Sequence, residues 1–122
     1  RLVGSEMCIR DRWEALFMST VRYHKLVRDR IPQIIEQDGR KCRVRRLSEA
    51  EYLLMLDEKL NEEVREYQQD KTLEELADVL EVVRAAALAR GWSLEALEAA
   101  RAKKEAACGG FRERILLEEA DR

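Results

Sequence analysis

The apolar residues of this chain recur at intervals of three and four, and this spacing predicts three long helices. Two of them start at a capping box, in which Ser48 or Thr72 is followed three residues later by Glu. Glycines should end the second and third helices. The expected ranges are Ser48 to Gln69, Thr72 to Gly91 and Ser93 to Gly109-Gly110.

Shorter segments precede and follow these helices. Because Pro32 is tolerated only in a first helical turn and Asp38-Gly39 is a stop signal, a short helix should run from Pro32 to Gln37. The basic stretch after it should be an extended connector, or an edge strand at most. At the other end, Ile115 to Leu117 should pack back on the helices. The predicted fold is an all-α bundle with three long helices, a short amino-terminal helix and an irregular or short-strand carboxyl-terminal tail.

The second long helix carries two apolar stripes. The first consists of Leu73, Leu76, Leu80, Val83 and Ala87, and the second of Val82, Ala85, Ala86 and Ala89. A helix with two apolar sides is buried on both, so we expect the chain to form a homodimer or a higher homo-oligomer.

Composition and charge narrow the class of protein. The 122 residues are enough for one domain, and a net charge of -2 does not favour nucleic-acid binding, although basic segments near both ends could hold an anionic ligand. No apolar run is long enough to span a membrane or to act as a secretory signal. Three widely spaced cysteines suit neither a disulfide framework nor a zinc site. We therefore expect a cytoplasmic protein with no membrane and no nucleic-acid partner.

The first 17 residues are expected to be a non-native extension. The segment from Arg1 to Arg12 resembles a translated sequencing-adaptor read-through, and Met18 follows it as a start residue. Residues 18–122 would then form a single helical domain.

Four carboxylates are predicted to converge between the first two long helices. Glu63 and Glu66 follow one edge of the apolar stripe of the first helix, and Glu62 is expected nearly opposite it. In an antiparallel hairpin, residues equidistant from the turn lie level, which pairs Glu66 with Glu75 and Glu63 with Asp78.

Such a cluster needs compensating positive charge. Buried carboxylates are costly alone, and hard oxygen ligands suit Mg²⁺ or Mn²⁺ better than Zn²⁺. Lys59 lies one turn before Glu63 on the same side and could bind phosphate. The alternative is that these acids form a solvated or salt-bridged face, neutralised in part by Lys59 and Arg65.

The acidic motif, Glu62-Glu63-x-x-Glu66 followed by Glu75-x-x-Asp78, resembles the metal-binding signature of the MazG-like all-α nucleoside triphosphate pyrophosphohydrolase superfamily. The segments HKLVRDRIPQII and GGFRERILL are similar to the opening and closing segments of its small phosphoribosyl-ATP pyrophosphohydrolase-like branch. The resemblance covers about Tyr23 to Leu117. The eight residues between Glu66 and Glu75 are fewer than the family usually has, which bears on substrate choice.

The resemblance implies Mg²⁺-dependent hydrolysis of a nucleoside triphosphate between its α and β phosphates, with clearance of unwanted nucleotides as a role. Its implied metal ligands are Glu63, Glu66, Glu75 and Asp78. Glu62 and Glu63 are the implied catalytic residues, with Glu62 as a general base or a residue that supports the metal ligands. Cations implied to contact the nucleotide, besides Lys59, are Lys25, Arg28, Arg30, Lys104 and Arg114.

Two other functions remain open. The first keeps the chemistry and changes the substrate to phosphoribosyl-ATP in histidine synthesis. The second, of another class, is a non-catalytic helical interaction module whose carboxylates are surface charge.

Overall fold

The computed structural model describes residues 20–122, and within them it confirms the all-α prediction. The described part contains helices and no strand. In chain order the helices are α1 (Ile31–Gln37), α2 (Glu49–Asp70), α3 (Leu73–Ala89) and α4 (Leu94–Cys108). None of the helices found in this range combines the length and apolar character needed to cross a membrane. The expected non-native extension, residues 1–17, lies outside the described residues.

The start of α2 follows the predicted capping box. The Ser48 hydroxyl accepts a hydrogen bond from the Glu51 N–H at 3.2 Å, and the Glu51 carboxylate accepts one from the Ser48 N–H at 3.4 Å. The Arg45 guanidinium donates to both Glu51 oxygens, at 3.2 and 3.0 Å, and lowers the pKa of Glu51 to about 2. These bonds fix the end of the connector to the first turn of α2.

A two-residue turn joins α2 to α3. Lys71 closes α2 in a left-handed conformation, with φ 56 and ψ 35, and its N–H donates to the Tyr67 carbonyl at 2.7 Å. Thr72 is extended and its hydroxyl accepts from the Glu75 N–H at 3.2 Å, which starts α3. Because the link is so short, the two helices pack against each other as an antiparallel hairpin.

Among the described residues the core is small and lies chiefly along the α2–α3 hairpin. Its buried apolar side chains are Ile31, Leu56, Val82 and Ala87. Val82 belongs to the second apolar stripe of α3, which faces the interior. The first stripe is divided: its leading residues Leu73, Leu76 and Leu80 face outward and are 78%, 46% and 57% exposed, whereas Ala87 at its other end is buried. Of the two predicted stripes, one chain alone buries chiefly the second.

The last helix and the tail stand away from this core. Ser93 caps α4 as predicted, accepting from the Ala96 N–H at 3.0 Å, and Gly109 ends it with φ 83. No residue of α4 is buried. The prediction that the tail packs back on the bundle is wrong for the single chain, since Ile115, Leu116 and Leu117 are 84%, 83% and 77% exposed. The physical reason is that α4 does not lie along the hairpin, so its end does not bring the tail to an apolar surface.

The turn makes a testable prediction. Replacing Lys71 by Gly should stabilise the fold by about 1 kcal/mol, because glycine adopts the left-handed conformation without the steric cost of a Cβ. Lys71→Ala is the matched control: it also removes the side chain but keeps the Cβ, so it should not stabilise. Urea denaturation of the two variants measures the difference, and equal stabilities would contradict the assigned turn geometry.

Candidate metal and phosphate site

The carboxylates of α2 form a close group. One oxygen from each of Glu62, Glu63 and Glu66 lies within 4.8 Å of the others. Glu63 is 3% exposed, while Glu62 and Glu66 are half-buried. Glu62 was expected nearly opposite the apolar stripe; its carboxylate lies beside those of Glu63 and Glu66, because residues four apart on a helix share a side.

The acids of α3 approach this group from the second helix. Glu75 is fully buried at 0% exposure, and its charge is close enough to raise the pKa of Glu66. Asp78 is half-buried and pairs with Arg28, whose Nη2 lies 2.7 Å from Asp78 Oδ1. Neither Glu75 nor Asp78 belongs to the close group on α2. The hairpin thus brings Glu75 toward Glu66, whereas Asp78 contacts a cation from another segment.

Three of the predicted cations reach the acids. Lys59 Nζ lies 3.0 Å from Glu63 Oε2 and 3.4 Å from Glu62 Oε2, and Lys25 Nζ lies 3.0 Å from Glu62 Oε1. Together with Arg28, Lys25 ties the segment before α1 to both helices of the hairpin. The buried Ile31 follows directly and holds that segment in place.

The other predicted cations are elsewhere. Arg30 is the exposed residue before α1, Lys104 lies on the exposed α4, and Arg114 lies in the exposed tail. Within the described residues no hydrogen bond or ion pair joins Lys104 or Arg114 to the carboxylates. One chain alone therefore does not use them at this site.

A cavity of about 410 Å³ opens beside Glu62. Its charged lining residues are the cations Lys25, Lys59 and Arg65 and the acids Glu58 and Glu62, so the lining has a small excess of positive charge. The sequence predicted Arg65 only as a neutralising residue and did not predict the cavity. The helical spacing of Met55, Glu58, Glu62 and Arg65 on one side of α2 was the signal available, but it does not reveal that Leu26 covers that side.

The surroundings of Glu62 and Glu66 shift the pKa values of these two carboxyl groups in opposite directions. Burial and the charges of Glu63 and Glu75 raise the pKa of Glu66 to about 7. Burial acts in the same direction on Glu62, yet the ammonium groups of Lys25 and Lys59 outweigh it and lower the pKa of Glu62. Glu62 is therefore ionised at neutral pH, and Glu66 is close to half-protonated.

Glu63 carries a buried oxygen for which the described part of the chain offers no hydrogen-bond donor at its position. Glu63 Oε2 contacts Lys59, whereas Glu63 Oε1 is buried without a partner, and a hydrogen bond between Glu63 and Glu66 is among the causes that raise the pKa of Glu66. An acceptor in this state is costly unless a cation or water completes its contacts. The donor set offers carboxylate oxygens, which are ligands for Mg²⁺ or Mn²⁺ rather than for a softer metal. The residues present therefore fit a hard divalent ion.

Comparison with known proteins gives one partial match. A segment of 42 residues is 55% identical to an uncharacterized protein of Mycolicibacterium smegmatis. The match covers 34% of this chain and 43% of that protein, so the chain matches less than half of its relative's length. No family model and no solved structure matches. The comparison assigns neither a family nor an activity.

The raised pKa of Glu66 makes stability depend on pH in the absence of divalent metal. Since the pKa is about 7 in the folded protein against an ordinary 4.5, the folded state binds the proton more tightly. The stabilisation is complete below about pH 4.5 and is lost as the pH rises through about 7. In EDTA, the melting temperature should therefore fall more between about pH 5 and pH 8 for the wild type than for Glu66→Gln. Parallel curves for the two proteins would contradict the assigned pKa.

Proposed function

We propose that this chain is a cytoplasmic, Mg²⁺-dependent nucleotide pyrophosphohydrolase, with Mn²⁺ as a possible substitute. It would hydrolyse a nucleoside triphosphate between the α and β phosphates, releasing a monophosphate and pyrophosphate and removing unwanted nucleotides. The observation that carries the proposal is a close group of three carboxylates containing a buried, unpartnered oxygen of Glu63, next to a cavity whose lining includes Lys25, Lys59 and Arg65.

The close group on α2 is where an ion would be held. Glu63 and Glu66 are its best-placed ligands, Glu75 adjoins them, and Asp78 would contribute once released by Arg28. A divalent ion bound there would neutralise phosphate charge and lower the pKa of a coordinated water. Binding favours the ionised form of Glu66, which the protein alone holds close to half-protonated at neutral pH.

The three cations of the cavity lining would orient the substrate. Lys25, Lys59 and Arg65 can donate to phosphate oxygens in the cavity, and its volume is in the range of small-ligand sites. Their positive charges oppose the negative charge of a triphosphate, and several donors at fixed positions restrict its orientation.

Glu62 suits a supporting role better than that of a general base. The ammonium groups of Lys25 and Lys59 lower its pKa, and a base works best when its pKa lies near the working pH. We therefore assign Glu62 to holding these two lysines in place, which revises its expected catalytic role. Glu63 keeps its assignment as the central acid of the site.

The ion pairs also support a second function. Lys25, Lys59 and Arg28 each contact a carboxylate, which is the pattern expected of a structural network in a non-catalytic interaction module. Under that hypothesis the acids need no metal, and substitutions among them should change stability without affecting any reaction.

Pyrophosphate release tests the proposed activity. The purified chain, with Mg²⁺ and a panel of nucleoside triphosphates and phosphoribosyl-ATP, should release pyrophosphate from at least one of them. Glu63→Gln should lower kcat/KM by about 100-fold or more, because it removes a buried negative charge from the centre of the site. Glu49→Gln is the matched control, being the same change at an exposed position of α2, and it should keep full activity.

The panel separates the candidates. If only phosphoribosyl-ATP is hydrolysed, the substrate is that of the alternative function in histidine synthesis. If no nucleotide releases pyrophosphate, in a protein with its helices intact, the proposed enzymatic activity is contradicted and the interaction module is favoured.

A further inference from the structure

The outer side of α3 is an exposed apolar surface. Leu73, Leu76 and Leu80 lie on it and are called here the leucine face; their exposed fractions of 78%, 46% and 57% are high for leucines on a packed helix. The opposite side of α3 holds the buried Glu75 and Val82 and is already covered by the rest of the fold. Nothing in the described residues covers the leucine face.

A second exposed apolar surface lies at the end of the same chain. Phe111, Ile115, Leu116 and Leu117, called here the apolar tail, are 97%, 84%, 83% and 77% exposed. Together they present on the order of 500 Å² of apolar surface, a patch size that marks an interaction site. The tail follows α4, which has no buried residue, so it does not reach the leucine face of its own chain.

Both surfaces carry charges of both signs. The tail segment holds Arg112 and Arg114 with Glu113 between them and Glu118 and Glu119 after Leu117, while α3 carries Glu74 and Glu81 along one flank of the leucine face and Arg84 beside Leu80. All of these side chains are exposed. A tail lying on this face would place its arginines near Glu74 and Glu81, and each copy offers one such face.

We propose that the apolar tail of one copy lies on the leucine face of a second copy, with the two chains exchanging tails reciprocally. Two such contacts reach the roughly 1,000 Å² that a stable interface requires. The exchange covers both exposed surfaces at once and forms a closed, symmetric dimer. It assigns Arg114 to the acidic flank of α3 in the second copy, and it does not depend on the proposed enzymatic activity.

Two variants of the full chain test the exchange. Leu73→Asp/Leu80→Asp disables the face, and Ile115→Asp/Leu117→Asp disables the tail. Both pairs are exposed, so circular dichroism should show unchanged helix content. Analytical ultracentrifugation at micromolar concentration should find a wild-type dimer and should find each variant monomeric, with its Kd raised at least about 100-fold. Leu54→Asp, at an exposed position of α2, is the control and should remain dimeric.

Mixing the two variants gives the decisive result. The tail variant keeps a working face and the face variant keeps a working tail, so an equimolar mixture should form a heterodimer with one intact contact. Because it buries half the area, this heterodimer should be weaker than the wild-type dimer but tighter than the self-association of either variant. A wild-type chain that is monomeric at these concentrations would overturn the proposal. So would a tail variant that remains dimeric, which would indicate direct pairing of α3 helices instead, or a mixture that associates no more tightly than either variant alone.

Discussion

Glu63 on α2 and Glu75 on α3 are almost completely buried, at 3% and 0% exposure, in a protein with only a small apolar core. Burying a charged carboxylate without compensation costs several kcal/mol, so the surrounding structure must provide positive charge or protonation. Lys59 contacts Glu63, Lys25 contacts Glu62, and Glu66 takes a pKa of about 7. The segment before α1 lies where it does because its two cations meet acids on both helices of the hairpin.

This arrangement links the fold to the proposed chemistry. The α2–α3 hairpin holds the acids through a two-residue turn that fixes the register of the helices, and the register sets Glu75 near Glu66. The same ammonium groups that stabilise the protein alone line a cavity beside the acids. A divalent ion would supply the positive charge that the lysines now provide to the carboxylates, and a triphosphate would supply the negative charge that the carboxylates now provide to the lysines. The ion pairs and the proposed ligands are therefore alternative ways of balancing the same charges.

Local signals in the sequence were sufficient to predict the helices. Capping residues and glycines act on the backbone next to them, through a hydrogen bond or a positive φ. For this reason Ser48, Ser93 and Gly109 mark helix ends in the structure as predicted. The inward direction of Glu63 and Glu75 also followed from helical spacing. The position of Glu62 relative to the apolar stripe did not reveal that its carboxylate joins that of Glu66, its neighbour one turn away.

Contacts between distant segments could not be predicted in the same way. Lys25 and Glu62 are separated by 37 positions, and Arg28 and Asp78 by 50, so no local pattern indicates that they meet. The prediction for the tail was wrong for a related reason. Its apolar residues indicate that it is buried against another surface, but the sequence does not show whether that surface belongs to the same chain. Both errors concern tertiary or quaternary partners, which helix periodicity does not encode.

Calorimetric titration of the metal-free protein with Mg²⁺ tests the central claim most directly. The account predicts a saturable binding event in the wild type that is lost or at least tenfold weaker in Glu63→Gln, and that strengthens as the pH rises through about 7. If the wild type takes up no Mg²⁺, or if Glu63→Gln binds it equally well, the buried carboxylates are a structural ion-pair network and the account is wrong.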